Sequence, residues 1–109
     1  MALSHATPSQ PLDVRPLAAT LPMARTAALF KSRDLEVIRL VLREGKGLPP
    51  HSVSGEITIH CLEGALNIDA DGGRTLLEAG QLLFLKAGET HALEAITDAS
   101  ALVTIVLKS

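Results

Sequence analysis

Four histidines and a single cysteine carry the most versatile chemistry in this chain of 109 residues. His51 follows Pro49 and Pro50 and stands just ahead of a strand-like run. His91 follows the turn-like stretch Gly88-Glu89-Thr90. Imidazoles bind metals, move protons near neutral pH or, when charged, hold a carboxylate or phosphate. Cys61 would add a soft third donor, and a set of His51, His91 and Cys61 would suit Zn or Cu. The plainer reading of Cys61 is a core residue, because free cysteine is among the most buried residue types. His60 is its immediate neighbour, so on a strand it points the opposite way and reads as a packing or interface residue. His5 lies near the N-terminus and is read as uninvolved.

Other reactive arrangements fall away on spacing. The run from Asp69 to Gly73 lacks the ligand spacing of an EF-hand loop. No glycine loop followed by Lys and Ser or Thr is present to cradle phosphate. Ser52 and Ser54 lie near His51, yet no Ser-His-Asp set is evident.

The elements that would position these residues are short strands. Apolar segments of five to nine residues recur from about residue 25, separated by Gly, Asp or Pro. "ALNIDA" alternates strictly, with Leu66, Ile68 and Ala70 opposite Asn67 and Asp69. The Asp/Gly turn that follows suits positive φ. "RTAALFKS", "EITIHCLE", "RTLLE", "GQLLFLKAG", "THALEAI" and "ALVTIVLKS" read the same way. "RDLEVIRLVLRE" is the ambiguous segment, since Leu35, Ile38 and Leu42 also fit helical spacing. Many short strands with turn signals between them predict an all-β fold, an antiparallel β-sandwich or small barrel. Four of the six prolines lie in residues 1–24, which predicts an irregular arm, either loose or laid on a neighbouring sheet. A short edge strand within "LDVRPLAATL" is the one regular element expected there. The predicted organisation is thus an arm over 1–24 and a barrel domain over 25–109.

Two segments in this pattern share a spacing. Gly45 is followed after five residues by His51, then Val53, Ile57 and Gly64; Gly80 is followed after five by Lys86, then Gly88 and His91. The pair resembles the two motifs of the cupin superfamily, which implies a jelly-roll barrel. It also implies a metal site of three histidines and a glutamate. Residue by residue, the first and third family histidines fall on His51 and His91. The second falls on Val53 and the glutamate on Ile57. The proline and asparagine of the second motif fall on Lys86 and Ala95. Glu56 is one position off, and a one-residue offset on a strand points to the other face unless the strand bulges. The resemblance keeps the barrel but loses half of the metal set. If position 57 faces inward, so do Ile59 and Cys61.

The expected pocket is therefore His51, Val53, Ile57, Ile59, Cys61 and His91. The expected function is binding of a small organic molecule, with no tightly bound metal. The alternative, implied by the resemblance, is a metal-dependent dioxygenase, isomerase or lyase. Its divalent ion, Zn, Fe, Mn, Ni or Cu, would sit on His51 and His91, with Cys61 as a further ligand. Whether the chain is an enzyme is left open at this point. The resemblance also implies a homodimer, to which the apolar "ALVTIVL" segment and the proline arm would contribute.

Bulk properties narrow the partners. Net charge is -2, and only Phe30 and Phe84 are aromatic apart from histidine. Neither a basic stripe nor stacking platforms are present, so nucleic-acid binding is not expected. No apolar run approaches the roughly 20 residues of a membrane helix. One cysteine excludes an internal disulfide. The N-terminus lacks a basic and then apolar leader, so a cytoplasmic location is expected.

Overall fold

The computed structural model describes residues 5–107. The first four residues of the predicted arm and the last two of the predicted barrel domain lie outside them. Nine strands follow the arm: β1 (Ala27–Lys31), β2 (Leu35–Leu42), β3 (Gly47–His51), β4 (Ile57–Glu63), β5 (Ala65–Ala70), β6 (Gly73–Glu78), β7 (Leu82–Leu85), β8 (His91–Ala95) and β9 (Ala99–Val106). They form two antiparallel sheets, ordered β1-β2-β9-β4-β7 and β3-β8-β5-β6. Only β1–β2 and β5–β6 join sequence neighbours within one sheet; every other connection crosses between sheets. That wrapping is a jelly roll, and it explains the alternating pattern. Each strand turns one face to the space between the sheets. Ile59, Cys61, Leu66, Ile68, Leu77 and Leu93 fill it.

The ambiguous segment is strand, not helix. β2 pairs with β9 over eight residues in unbroken register, from Leu35↔Val106 to Leu42↔Ala99. Its pattern is blurred because both faces are covered. Leu40 and Leu42 join the inner core, while Val37 and Arg39 on the outer face are also buried. The cover is the arm. Ala6 N–H donates to the Leu29 carbonyl at 2.9 Å, and Arg39 Nη2 donates to the Arg15 carbonyl. The edge strand expected within "LDVRPLAATL" does not form. The chain there is irregular and then turns into a 3-10 helix, Ala18–Met23. Its first turn is held from outside, because Leu17 and Ala18 N–H both donate to the Glu63 carboxylate at 2.9 Å.

Glu63 reaches the arm through a β-bulge. Cys61 pairs with Ala101 on β9, but Ser100 pairs with Glu63 rather than Leu62. The extra residue turns Glu63 to the outer face beside Arg39 and Ser100. Gly64 follows at φ +77, and a Cβ there would lie 2.2 Å from the Asp98 carbonyl oxygen. Only glycine fits both demands. The spacing glycines Gly45, Gly80 and Gly88 share this left-handed conformation, which is why they punctuate the strands. Among the described residues, no helix is long and apolar enough to cross a membrane.

Candidate functional site

His51 and His91 face each other across two strands. His51 does not precede a strand, as its sequence neighbours imply, but ends one: β3 pairs with β8 in the register His51↔His91. The prolines that disguised β3 are tolerated because it is the edge of its sheet, where missing N–H groups cost no ladder bond. Gly47 lets β3 approach, since a Cβ there would lie 2.0 Å from the Leu93 carbonyl oxygen. The two rings lie with centroids 4.3 Å apart, tilted by 57°. His91 is 3% exposed, whereas His51 is exposed at the rim.

Both rings are anchored by the same local device. His51 Nδ1 lies 3.0 Å from the Pro49 carbonyl oxygen, and His91 Nδ1 lies 3.1 Å from that of Glu89. A carbonyl only accepts, so Nδ1 carries the proton in each ring. In the neutral ring Nε2 then keeps its lone pair, and among the described residues neither Nε2 has a hydrogen-bond partner. The pair presents two free acceptors on adjacent rings.

Beneath them lies a cavity of about 200 Å³. Val53, Ile57 and Ile59 line it, with Leu48, Leu93 and both histidines. Ile38 and Leu40 of β2 and Val103 and Ile105 of β9 complete the wall. Sequence reasoning missed these four, as it did Leu48, Leu93 and Thr26; for the four on β2 and β9 inward parity was the only signal, and it depends on knowing the strand partners. Thr26, also in the wall, is already satisfied: its hydroxyl accepts the Val41 N–H at 2.8 Å and donates to the Val41 carbonyl. Ile57 pairs regularly with Ile105 and Leu85, so no bulge brings Glu56 inward. Glu56 is exposed and lines no part of the cavity.

Cys61 corrects the expected pocket. It shares the inward face of β4 but lies outside the cavity lining. Four residues beyond Ile57, it sits about 13 Å further along the strand. It is fully buried, with Sγ 3.5 Å from the carbonyl oxygens of Glu63 and Gly64. Burial pushes its thiol pKa up, which disfavours the thiolate that metals bind. Its role in this structure is packing. His60, on the outer face, is half-buried between Leu82 and Leu102.

An open cleft of about 770 Å³ lies outside the rim and also touches His91. Its charged side chains are mixed in sign: Asp69, Asp71 and Glu89 against Arg74 and Lys86. Asp69 and Arg74 neutralise each other at 2.8 Å, and Arg74 holds the Asp69 carboxyl below its ordinary range. His91 lines both spaces, so it stands between a polar entrance and an aliphatic interior.

Among the described residues, no group of three or more His, Cys, Asp or Glu side chains is placed to hold a metal ion. Two histidines fall short of a facial triad, and the remaining first-motif positions are aliphatic. The residues present therefore do not fit the metal set that such folds carry.

A closed jelly-roll with its pocket between the two sheets defines the class of protein. Residues 38–107 match the family described as the cupin domain, and the chain belongs to that family. Solved structures agree on the fold. A cupin superfamily protein from Desulfitobacterium hafniense is 19% identical with a TM-score of 0.78, over 99% of this chain and 100% of that one. A conserved protein of unknown function from Streptococcus pyogenes is 21% identical with a TM-score of 0.77, over 100% and 96%. A predicted oxalate decarboxylase from Thermotoga maritima is 26% identical with a TM-score of 0.68, over 76% and 79%. No curated protein matches this chain.

Proposed function

We propose that this cupin binds a small organic molecule in the barrel cavity and needs no metal to do so. The observation that carries the reading is the cavity itself. It stays open at about 200 Å³ although Val53 and Ile57 occupy the positions where the resemblance implies ligands. An aliphatic wall with a few convergent polar groups is the usual make-up of a small-molecule site. Apolar surface of the ligand would be removed from water at roughly 25 cal/mol per Å². The histidine pair would supply orientation through its free acceptor nitrogens.

Metal-dependent catalysis is the second reading. The anchored Nδ1 atoms favour it, because metal-binding histidines commonly donate their other N–H to a carbonyl. The likeness to the predicted oxalate decarboxylase favours catalysis. The shortage of further ligands weighs against it. Elemental analysis of protein purified without a polyhistidine tag separates the two. The binding reading expects substoichiometric metal, no uptake of added Fe, Mn, Ni, Cu or Zn, and a thermal shift with small organic probes. One metal per chain after purification would overturn it.

The proposal includes a homodimer. The outer face of β4 and β7 presents Leu82 and Phe84, which are 65% and 59% exposed beside Thr58 and His60. The arm leaves these two residues uncovered, and they carry no charge to repel a second copy.

A further inference from the structure

We infer that the cavity selects an uncharged, ring-sized molecule bearing a hydroxyl, an alcohol or phenol, whose O–H donates to Nε2 of His91. The inference rests on the binding reading above and names its ligand class. Three observations on the wall carry it.

The first is size. An apolar cavity of about 150 Å³ holds benzene. A cavity of about 200 Å³ therefore takes one ring with one or two substituent atoms. The second is charge. Among the described residues, no Asp, Glu, Lys or Arg lines the inner cavity; Lys86 and Arg74 belong to the outer cleft. A carboxylate drawn inside would lose its water and meet no cation. The third is hydrogen-bond polarity. Both Nδ1 protons are spent on the Pro49 and Glu89 carbonyls. Thr26 is spent on Val41. What remains on the lining side chains is acceptor only, the two Nε2 lone pairs. A neutral donor satisfies one of them, whereas a carboxylate presents lone pair to lone pair. His91, at 3% exposed, supplies the drier acceptor. His51 at the rim takes a second donor or water.

Calorimetric titration of the intact chain with four probes tests this, with a chelator present at about pH 8, where imidazole is ordinarily neutral. The probes are phenol, fluorobenzene, benzene and benzoate, which share a ring and differ in its substituent. Phenol is expected to bind about fivefold more tightly than fluorobenzene, the worth of one net hydrogen bond. Benzoate is expected to bind more weakly than phenol. In His91→Ala, with its fold verified by circular dichroism, phenol loses its advantage while benzene still binds. Equal binding of phenol and fluorobenzene by the unaltered chain, or tighter binding of benzoate, would overturn the inference and leave the binding reading standing. Absence of binding by all four probes would overturn both.

Discussion

Replacing Glu63 with glutamine removes one charge from the seam between the arm and the five-stranded sheet. The Glu63 side chain is 14% exposed, and Arg39, 3.6 Å away, is 10% exposed. The carboxylate accepts from Leu17 N–H, Ala18 N–H and the Ser100 hydroxyl. Arg39 already has one buried nitrogen, Nε, without a partner. Breaking a buried pair by removing one member costs about 3–5 kcal/mol, chiefly because the other charge is left uncompensated. Glutamine keeps one acceptor oxygen, so Glu63→Gln is expected near the lower end, about 3 kcal/mol. At about 4 °C per kcal/mol for a domain of this size, Tm falls by about 12 °C. Urea unfolding measures the loss directly. The double variant Arg39→Met with Glu63→Leu should cost less than the sum of its two singles, since it removes both charges together, while the orphaned Leu17, Ala18 and Ser100 donors keep it below the parent.

The same seam sets an acid limit. Burial opposes ionisation of Glu63, but the bonds from Leu17, Ser100 and Ala18, with the Arg39 charge, outweigh it and hold the carboxyl below its ordinary value of 4.5. A depressed folded pKa stabilises above the unfolded value, and that contribution is lost as pH falls through the folded one. Glu63→Gln should lack this part of the acid limb. A loss under about 0.5 kcal/mol, or a double variant whose cost is the sum of its singles, would refute the reasoning.

Three further outcomes are expected. Val53→Phe fills the cavity, so probe affinity drops at least about tenfold while thermal stability holds, as cavity filling usually allows; titration and melting measure both. Val53→His with Ile57→Glu completes, with His51 and His91, the set that the family resemblance implies. Position 57 is 4% exposed. The metal-free variant is therefore expected to lose more than the roughly 1–3 kcal/mol of a buried neutral polar group. Added divalent metal should restore about 2.7 kcal/mol at a hundredfold excess over Kd, read by melting and elemental analysis. Finally, Leu82→Lys with Phe84→Lys places like charges across a two-fold interface and should yield a monomer by sedimentation. A monomeric parent at tens of micromolar would contradict the proposed dimer.

Much of this molecule is local and therefore legible in the chain. Gly45, Gly64, Gly80 and Gly88 mark turns because a positive φ excludes side chains whatever surrounds them. The alternation of Leu66, Ile68 and Ala70 declares a strand with one dry face. The motif spacing carries His51, Val53, Ile57 and His91 to one place without any knowledge of the partner strands. β2 was less legible because the arm covers its outer face, which erases the polar half of the pattern. β3 hid behind two prolines that only an edge position excuses.

Other features depend on contacts between distant segments, which no local pattern encodes. Cys61 and Ile57 share a strand and a face, and the sequence treats them alike. Only the packed sheets put one at the cavity wall and the other about 13 Å deeper, in closed core. The bulge after Cys61 decides that Glu63 turns outward to meet Arg39, Ser100 and the arm. The chain by itself determined strands, turns and the loss of two ligand positions, because those follow from φ preferences, side-chain polarity and spacing. The tertiary structure alone decided the His51↔His91 register and the depth of the cavity, because each is set by the backbone of another segment.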